Sequence, residues 1–423
     1  MKTHRDNQPG GSNWTPSRER LLLLALATIQ FTTILDFLII IPLGPQYMRV
    51  FHIVENQFGL IVSAYGISAG LSGLAAGFFL DRFDRRKALL WLYLGFTIGT
   101  LFCALSPSYE LLVASRFIAG AFGGVVGAVI LSIVGDVIPM ERRGAAMGMI
   151  MSSFSVSSIV GVPLGLVLAN YYNWHVPFFA LTGLSAIILV LAAYATPVMR
   201  GHMEHDRGEH PVARTWAVMT RPDHMKAYLL MAMLTCAGFA IFPYFPSYLV
   251  SNVGLSEKQL PWVYFAGGFC TLFSLNWVGR WADRSGKMRV FTITSLTTAV
   301  PILLITNLPR VPQLVAIGTS TLLFVCMSAR MVPAMALMTA SVEARDRGGF
   351  MSINSSVQQF SMGLTSLLGG LVIGKSASGQ MTNFAVNGVF AIACAYLCIY
   401  LAKFLKVPQG KGVVNEPVLI EHG

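Results

Sequence analysis

Of 423 residues, 54% are hydrophobic and only 12% charged, with a formal net charge of +11. Soluble domains carry about 25% charge, so this balance, with a mean hydropathy of +0.63, excludes a water-soluble globular chain. An excess of Lys and Arg would suggest nucleic acid in a soluble protein; here the positions of those charges give a different answer.

The first twenty residues are polar, and the apolar segment after them is too long for a cleaved signal peptide. Runs such as Leu21–Ile41, Ile61–Leu80, Ile159–Ala169 and Phe178–Ala195 lack the polar face of a soluble amphipathic helix. They belong to windows of about 20 residues, enough to cross a core of ~30 Å. The pattern predicts an all-α polytopic membrane protein with twelve transmembrane helices, at 21–46, 57–80, 88–106, 109–136, 145–170, 176–196, 226–250, 260–282, 290–306, 312–340, 348–374 and 382–404. With both termini on the cytoplasmic side, all but six of the 30 Lys and Arg fall in cytoplasmic loops and tails or, as Lys226, Arg280 and Lys403, at the cytoplasmic ends of spans. Arg49, Lys258, Arg310 and Lys375 lie in outer loops, and Arg116 and Arg330 within spans. That asymmetry follows the positive-inside rule and removes the need for a nucleic-acid partner.

Span one carries Gln30 and, in "TTILDFLIII", Asp36, the one acid set deep in a span. A charge at mid-membrane costs roughly 2.5–3.5 kcal/mol even on lenient insertion scales. Span two spaces Gly66, Gly70, Gly73 and Gly77 for close helix contact and includes Tyr65. "GFFLDRFDRRK" follows at 77–87, and span four then brings Arg116 with Gly120, Gly123, Gly124 and Gly127. Asp36 lies about 22 Å from the cytoplasmic end of its span and Arg116 about 10 Å from the outer end of its own, which is nearly one level. Burial favours the neutral form of a carboxylate and a neighbouring guanidinium the charged form. Two readings therefore stand: a fixed ion pair joining spans one and four, or a site that takes up and releases a proton. Span five has Gly161, Pro163 and Gly165.

The interval 197–225, with Pro197, Pro211 and Pro222, reads as a cytoplasmic linker, and the histidines of "GHMEHDRGEH" as solvated loop rather than a metal site. It divides the chain into a tail at 1–20, a six-helix half at 21–196, a second half at 226–405 and a tail at 406–423. The halves echo each other: "IPLGPQYM" and "FPYFPSYL" stand 201 positions apart, and Asp81 and Asp283, in "GRWADRSGKMR", 202 apart. Internal repeats of this kind build secondary transporters. The position matching Asp36 is Ala237, so the acid belongs to one half only. Gln30, Tyr65, Tyr244, Tyr248, Asn354 and Gln358 are polar candidates for a central cavity, the last two on one helical face. Arg330 has no acid in any span and either bonds to carbonyls or faces that cavity. One acid and two arginines would leave the span interiors at +1, disfavouring lipophilic cations. The six Cys fall in spans without a CxxC pattern and read as small packing residues. No His lies mid-span and there is no second deep acid, so the pattern does not support an enzyme.

The chain from about 20 to 405 resembles the major facilitator superfamily, most closely its bacterial proton-coupled exporters of drugs, sugars and nucleosides. Gly77, Asp81, Arg82, Arg85 and Arg86 match that family's loop signature, with Asp84 where its second Gly stands; Asp can visit the left-handed region, so the turn can survive. The repeat at Gly279, Asp283 and Arg284 keeps Gly286. Arg116 and Gly120 are similar to the span-four signature, though Ala119 replaces a frequent Gln. Gly161, Pro163 and Gly165 resemble the antiporter signature, and Asp36 with "PLGP" that of drug–proton antiporters. The resemblance implies a monomer of the bacterial inner membrane, with no cofactor, exchanging a small-molecule substrate for protons; import by symport and uncoupled facilitation remain alternatives. It also implies a cytoplasmic latch in which Asp81 meets the start of span eleven and Arg85 meets Asp136.

Overall fold

The computed structural model describes residues 16–197, 211–343 and 345–405. Helices occupy all twelve predicted spans: Pro16–Ile40, Glu55–Phe79, Arg85–Leu105, Tyr109–Val137, Met140–Tyr171, His175–Ala195, Pro222–Phe239, Leu260–Ser285, Lys287–Thr306, Gln313–Ala340, Arg347–Val372 and Phe384–Ala402. Among the described residues, nine of these are long and apolar enough to cross a bilayer by length and composition; spans seven, eight and eleven are the helices outside that set. Helices are the solution because a chain in lipid must satisfy its backbone internally.

Boundaries moved where proline or glycine intervenes. Span one ends at Ile40, before Pro42, and a short helix Gly44–Val50 follows with Pro45 in its first turn. Span seven ends at Phe239, ahead of Pro243, rather than at 250. Three spans break just before a proline, whose missing N–H frees the carbonyl four residues back. Pro163 follows a π-turn at Ser157–Gly161, Pro301 a break at Thr298, and Pro333 a break at Arg330. Within the interval expected as linker, Pro211–Thr220 is a helix. Its Thr215 hydroxyl donates to the Gly77 carbonyl at 3.0 Å, and the Val218 carbonyl lies 2.8 Å from His224 Nδ1. The histidines at 202, 205 and 210 lie outside the described residues.

The bundle has a charge-poor end, carrying Arg49 and Lys258, and a charge-rich end, carrying Arg85 and Arg221. At the charge-poor end a single core joins both halves: Ile39, Phe58 and Phe178 pack in one cluster with Ile241, Phe245 and Phe384. Polar contacts close the same end. Both guanidinium nitrogens of Arg49 bond to the Glu257 carboxylate, Gln46 donates to Asn170 at 3.0 Å, and Asn170 donates to the Glu257 carbonyl at 3.2 Å. At the charge-rich end the core divides. One cluster holds Leu26, Ile130 and Ile188; another holds Tyr228, Leu337 and Phe350.

Spans two and eleven cross closely through the middle. A Cβ placed on Gly66 would lie 2.8 Å from both the Cα and the N of Gly363, and one on Gly70 would lie 2.7 Å from the Phe360 backbone nitrogen. Backbone cannot move aside as a side-chain end can. Gly66→Val should therefore cost about 1–3 kcal/mol by overpacking, read as a lower melting temperature in detergent. Gly183→Ala, with open space around its Cβ, serves as the control. An unchanged melting temperature for Gly66→Val would mean the crossing is looser than described.

Candidate functional site

The structure brings Asp36 and Arg116 together. Arg116 Nη1 donates to Asp36 Oδ2 at 2.6 Å, and neither side chain has any solvent exposure. Thr100 Oγ1, on span three, lies 3.2 Å from Asp36 Oδ1 and 3.0 Å from the Phe96 carbonyl, so its single proton is shared between them. The guanidinium also sits 4.4 Å from the centre of the Tyr65 ring, a cation–π distance. Arg116 Nε and Nη2 have no hydrogen-bond partner among the described residues. The pair thus neutralises its charge but leaves donors unspent.

Span five holds the acid's helix in register. The hydroxyls of Ser153 and Ser157 donate to the backbone carbonyls of Ala27 and Phe31 on span one, at 2.7 and 3.1 Å. Gly161 and Gly165 make room for Leu35 and Ile39, whose methyls would come within 2.8 and 2.6 Å of an added Cβ. The expected antiporter glycines are therefore seats for the side chains that flank Asp36.

Tyr47 was not among the expected site residues. It is fully buried on the short helix after span one, and its hydroxyl has no partner among the described residues. Burial, then the neighbouring Cys103 thiol, pushes its ionisation well above the usual 10.0, and it senses the charges of Arg116 and Asp36. A signal was present in the sequence: the repeat offset pairs Tyr47 with Tyr248, whose hydroxyl donates to the Leu308 carbonyl at 3.1 Å. The first half's tyrosine lacks such a bond, just as the second half lacks the acid. An aromatic bridge was also missed. Phe37, beside Asp36, lies 5.5 Å from Tyr65 and 5.9 Å from Phe239 of span seven, and Phe242 continues to Phe324 at 5.5 Å.

The other expected residues separate. Gln30 and Gln358 are half-buried, and Asn354 is buried, its Oδ1 without a partner among the described residues. Tyr244 is not placed to line a cavity: its ring wedges against Gly59 and Gly370 where the halves join, and its hydroxyl donates to the Ser366 carbonyl. Arg330 is buried at the break in span ten, with Nη2 3.3 Å from the Leu234 carbonyl and 3.1 Å from Met327 Sδ. One carbonyl contact is present, and Nη1 has no partner among the described residues. Both arginines are buried, so neither guanidinium is presented to solvent in this structure.

At the charge-rich end Arg85 Nε donates to Asp136 Oδ2 at 2.8 Å, joining spans three and four. Arg86 donates to the Ala193 carbonyl of span six at 2.6 Å, and exposed Arg82 faces the Phe79 ring at 5.8 Å. These contacts lie within one half. The side chain of Asp81 lies outside the described residues. Asp84 does not enter the left-handed region. At φ −57° it caps span three, accepting from the Arg86 and Lys87 amides, as Asp does at a helix start. Gly286 has φ +90°, and Asp283 and Arg284 are exposed without an ion pair among the described residues. The two turns share a sequence pattern but not a geometry.

Comparison with known proteins agrees with this architecture. The family profile described as Major Facilitator Superfamily matches residues 26–275 and 227–418. An MFS-type transporter of Bacillus subtilis, YwfA, is 28% identical across 92% of this chain and 93% of its own length. A chloramphenicol efflux pump of Mycobacterium tuberculosis is 27% identical across 69% of this chain and 70% of its own. The crystal structure of a D-xylose–proton symporter superposes with a TM-score of 0.76, covering 93% of this chain and 99% of the other, at 15% identity; that likeness speaks of fold alone.

Removing one partner of a buried pair strands the other charge, at about 3–5 kcal/mol. Arg116→Met should therefore unfold at clearly lower temperature than wild type, while Asp36→Leu combined with Arg116→Met should recover most of the loss. Thermal melts of both variants check this, and a double variant no more stable than the single would show that the pair's environment, not its charge balance, sets the cost.

Proposed function

Because the chain belongs to the Major Facilitator Superfamily, a family of multi-pass membrane transporters, we propose that it exports a small organic solute in exchange for protons by alternating access. The observation that carries this reading is the Asp36–Arg116 pair, closed to solvent in the half that alone has an acid deep in a span. On this reading the charge-rich end is cytoplasmic, with both termini, in a bacterial inner membrane. The joined charge-poor end and the divided core at the other are then the inward-facing limb of the cycle.

The chemistry follows from the neighbours. When the outer end opens, water reaches Tyr47, whose neutral hydroxyl passes a proton toward Asp36. Protonation cancels the charge that holds Arg116, and the freed guanidinium keeps the Asp36 backbone carbonyl and the Tyr65 face as partners. When the cytoplasmic side opens, Arg116 again favours the carboxylate and the proton leaves. Solute acts on the same pair of conformations, because a ligand shifts a two-state equilibrium only by its differential affinity for the two states. Gln30, Asn354 and Gln358 are the polar groups available to the solute; Gly77, Asp81, Arg82, Arg85 and Arg86, with Gly279, Asp283 and Arg284, form the cytoplasmic turns of the two halves, and Asp136 at the end of span four holds Arg85. One relative's name, a chloramphenicol efflux pump, supports export of a neutral organic compound. The complete sealing of the pair also suits a second reading, an uncoupled facilitator or importer in which Asp36–Arg116 is a strut.

Efflux from cells preloaded with labelled sugars, nucleosides, chelators and neutral amphiphiles separates the two. Wild type is expected to expel one class, and Asp36→Asn or a protonophore to reduce that to the level of cells lacking the protein. Tyr47→Phe, which keeps the ring and removes the hydroxyl, should slow efflux severalfold. Export by Asp36→Asn at the wild-type rate, unaffected by protonophore, would leave the strut.

A further inference from the structure

On the flank of the bundle, at the charge-poor end, spans five and eight part to leave a groove of about 560 Å³. Its walls are Pro163 and Val167 on one side and Trp262 and Phe265 on the other. Lower down the two spans meet, since a Cβ on Gly268 would lie 3.0 Å from Ile159 Cγ1 and 3.2 Å from the Ser158 carbonyl carbon. The groove is therefore a slot, closed towards the middle of the membrane and open sideways. At its rim stands Lys258, exposed and with no hydrogen bond or ion pair to any described residue.

The polar groups near Lys258 are already engaged. The Glu257 carboxylate is taken by both nitrogens of Arg49, and the Asn170 amide bridges Gln46 and the Glu257 carbonyl. Arg49 is thus bound by an acid of its own, and Lys258 is left to find an anion elsewhere. Tyr171 and Trp262 flank it, 82% and 59% exposed, the residue types that sit at headgroup level.

We propose that this groove is a binding site for one anionic phospholipid, its phosphate on Lys258 and an acyl chain along Pro163, Val167 and Phe265. Charge complementarity selects the headgroup, because a basic side chain between helices attracts anionic lipid. The apolar slot and its lateral opening select a chain rather than a soluble anion. The lipid bridges the two spans beside the Arg49–Glu257 contact, so it holds the halves together at this end. The site stands whether or not proton exchange is the activity.

Native mass spectrometry of the delipidated full chain, titrated with phosphatidylglycerol or phosphatidylcholine, tests the assignment. Wild type is expected to retain one phosphatidylglycerol that Lys258→Gln binds about fivefold more weakly. Val167→Trp, which fills the slot and keeps the cation, should lose it too. Lys375→Gln, at the same end on the short strand Gly374–Lys375, should not, and thermal melts establish that all three variants fold. Equal retention of phosphatidylcholine, or wild-type retention of phosphatidylglycerol by Lys258→Gln, would overturn the proposal. Loss with Lys258→Gln but not with Val167→Trp would overturn the slot as the chain's seat.

Discussion

A carboxylate and a guanidinium sealed from water within a membrane protein depend on one another. The desolvation of either alone is several kcal/mol, and each is sealed completely here. That dependence constrains span one to present Asp36 inward at the depth of Arg116, and it makes span five the brace that fixes span one's rotation. The serines that bond to the backbone of span one, and the glycines that receive Leu35 and Ile39, do so on either side of the acid. Packing and electrostatics are therefore one arrangement. A rotation of span one that released the ion pair would also unseat two side chains from two glycines.

The second half shows what happens to such a position without the acid. Ala237 and Cys236 pack with Cys394 and Ala395 in a small apolar cluster, and Thr365 donates to Cys236 Sγ at 3.0 Å. Its own arginine, Arg330, sits at a break that Pro333 imposes and is met by a carbonyl and a thioether. The duplicated scaffold is kept while its ionic centre is not. An asymmetric pair inside a symmetric frame suits an added task better than a repeated structural one.

Much of this was legible in the chain. Hydropathy located the helices, because lipid requires apolar windows of fixed length, and counting residues along spans one and four put Asp36 and Arg116 at one depth. Rotation about a helix axis was not legible. Arg330 and Tyr244 were candidates for a cavity on depth alone, and only packing shows that one turns to span seven and the other wedges between glycines of spans two and eleven. Asp84 was misread for a related reason. An Asp after a helix can enter the left-handed region or cap the next helix, and the choice depends on how soon that helix begins. With span three starting at Arg85, the amides of Arg86 and Lys87 are near enough to decide it.

The two ends of the bundle complete the physical picture. At the charge-poor end, a shared apolar core and a few hydrogen bonds join the halves. At the charge-rich end the buried core splits into one cluster per half, with Leu74 of span two packed against the second. Opening the joined end must break the Arg49–Glu257 contact and part Tyr244 from the glycines of spans two and eleven, none of which lies near the middle of the membrane. The Asp36–Arg116 pair lies inside the first half, so it need not break for the halves to separate. The two halves meet near it through an aromatic contact, Phe37 against Phe239 at 5.9 Å, which is adjustable because ring stacking tolerates offset and tilt. Near Asp36, the first half therefore touches the second through the ring of Phe37 on span one, and not through the ion pair itself, which is contained in the first half.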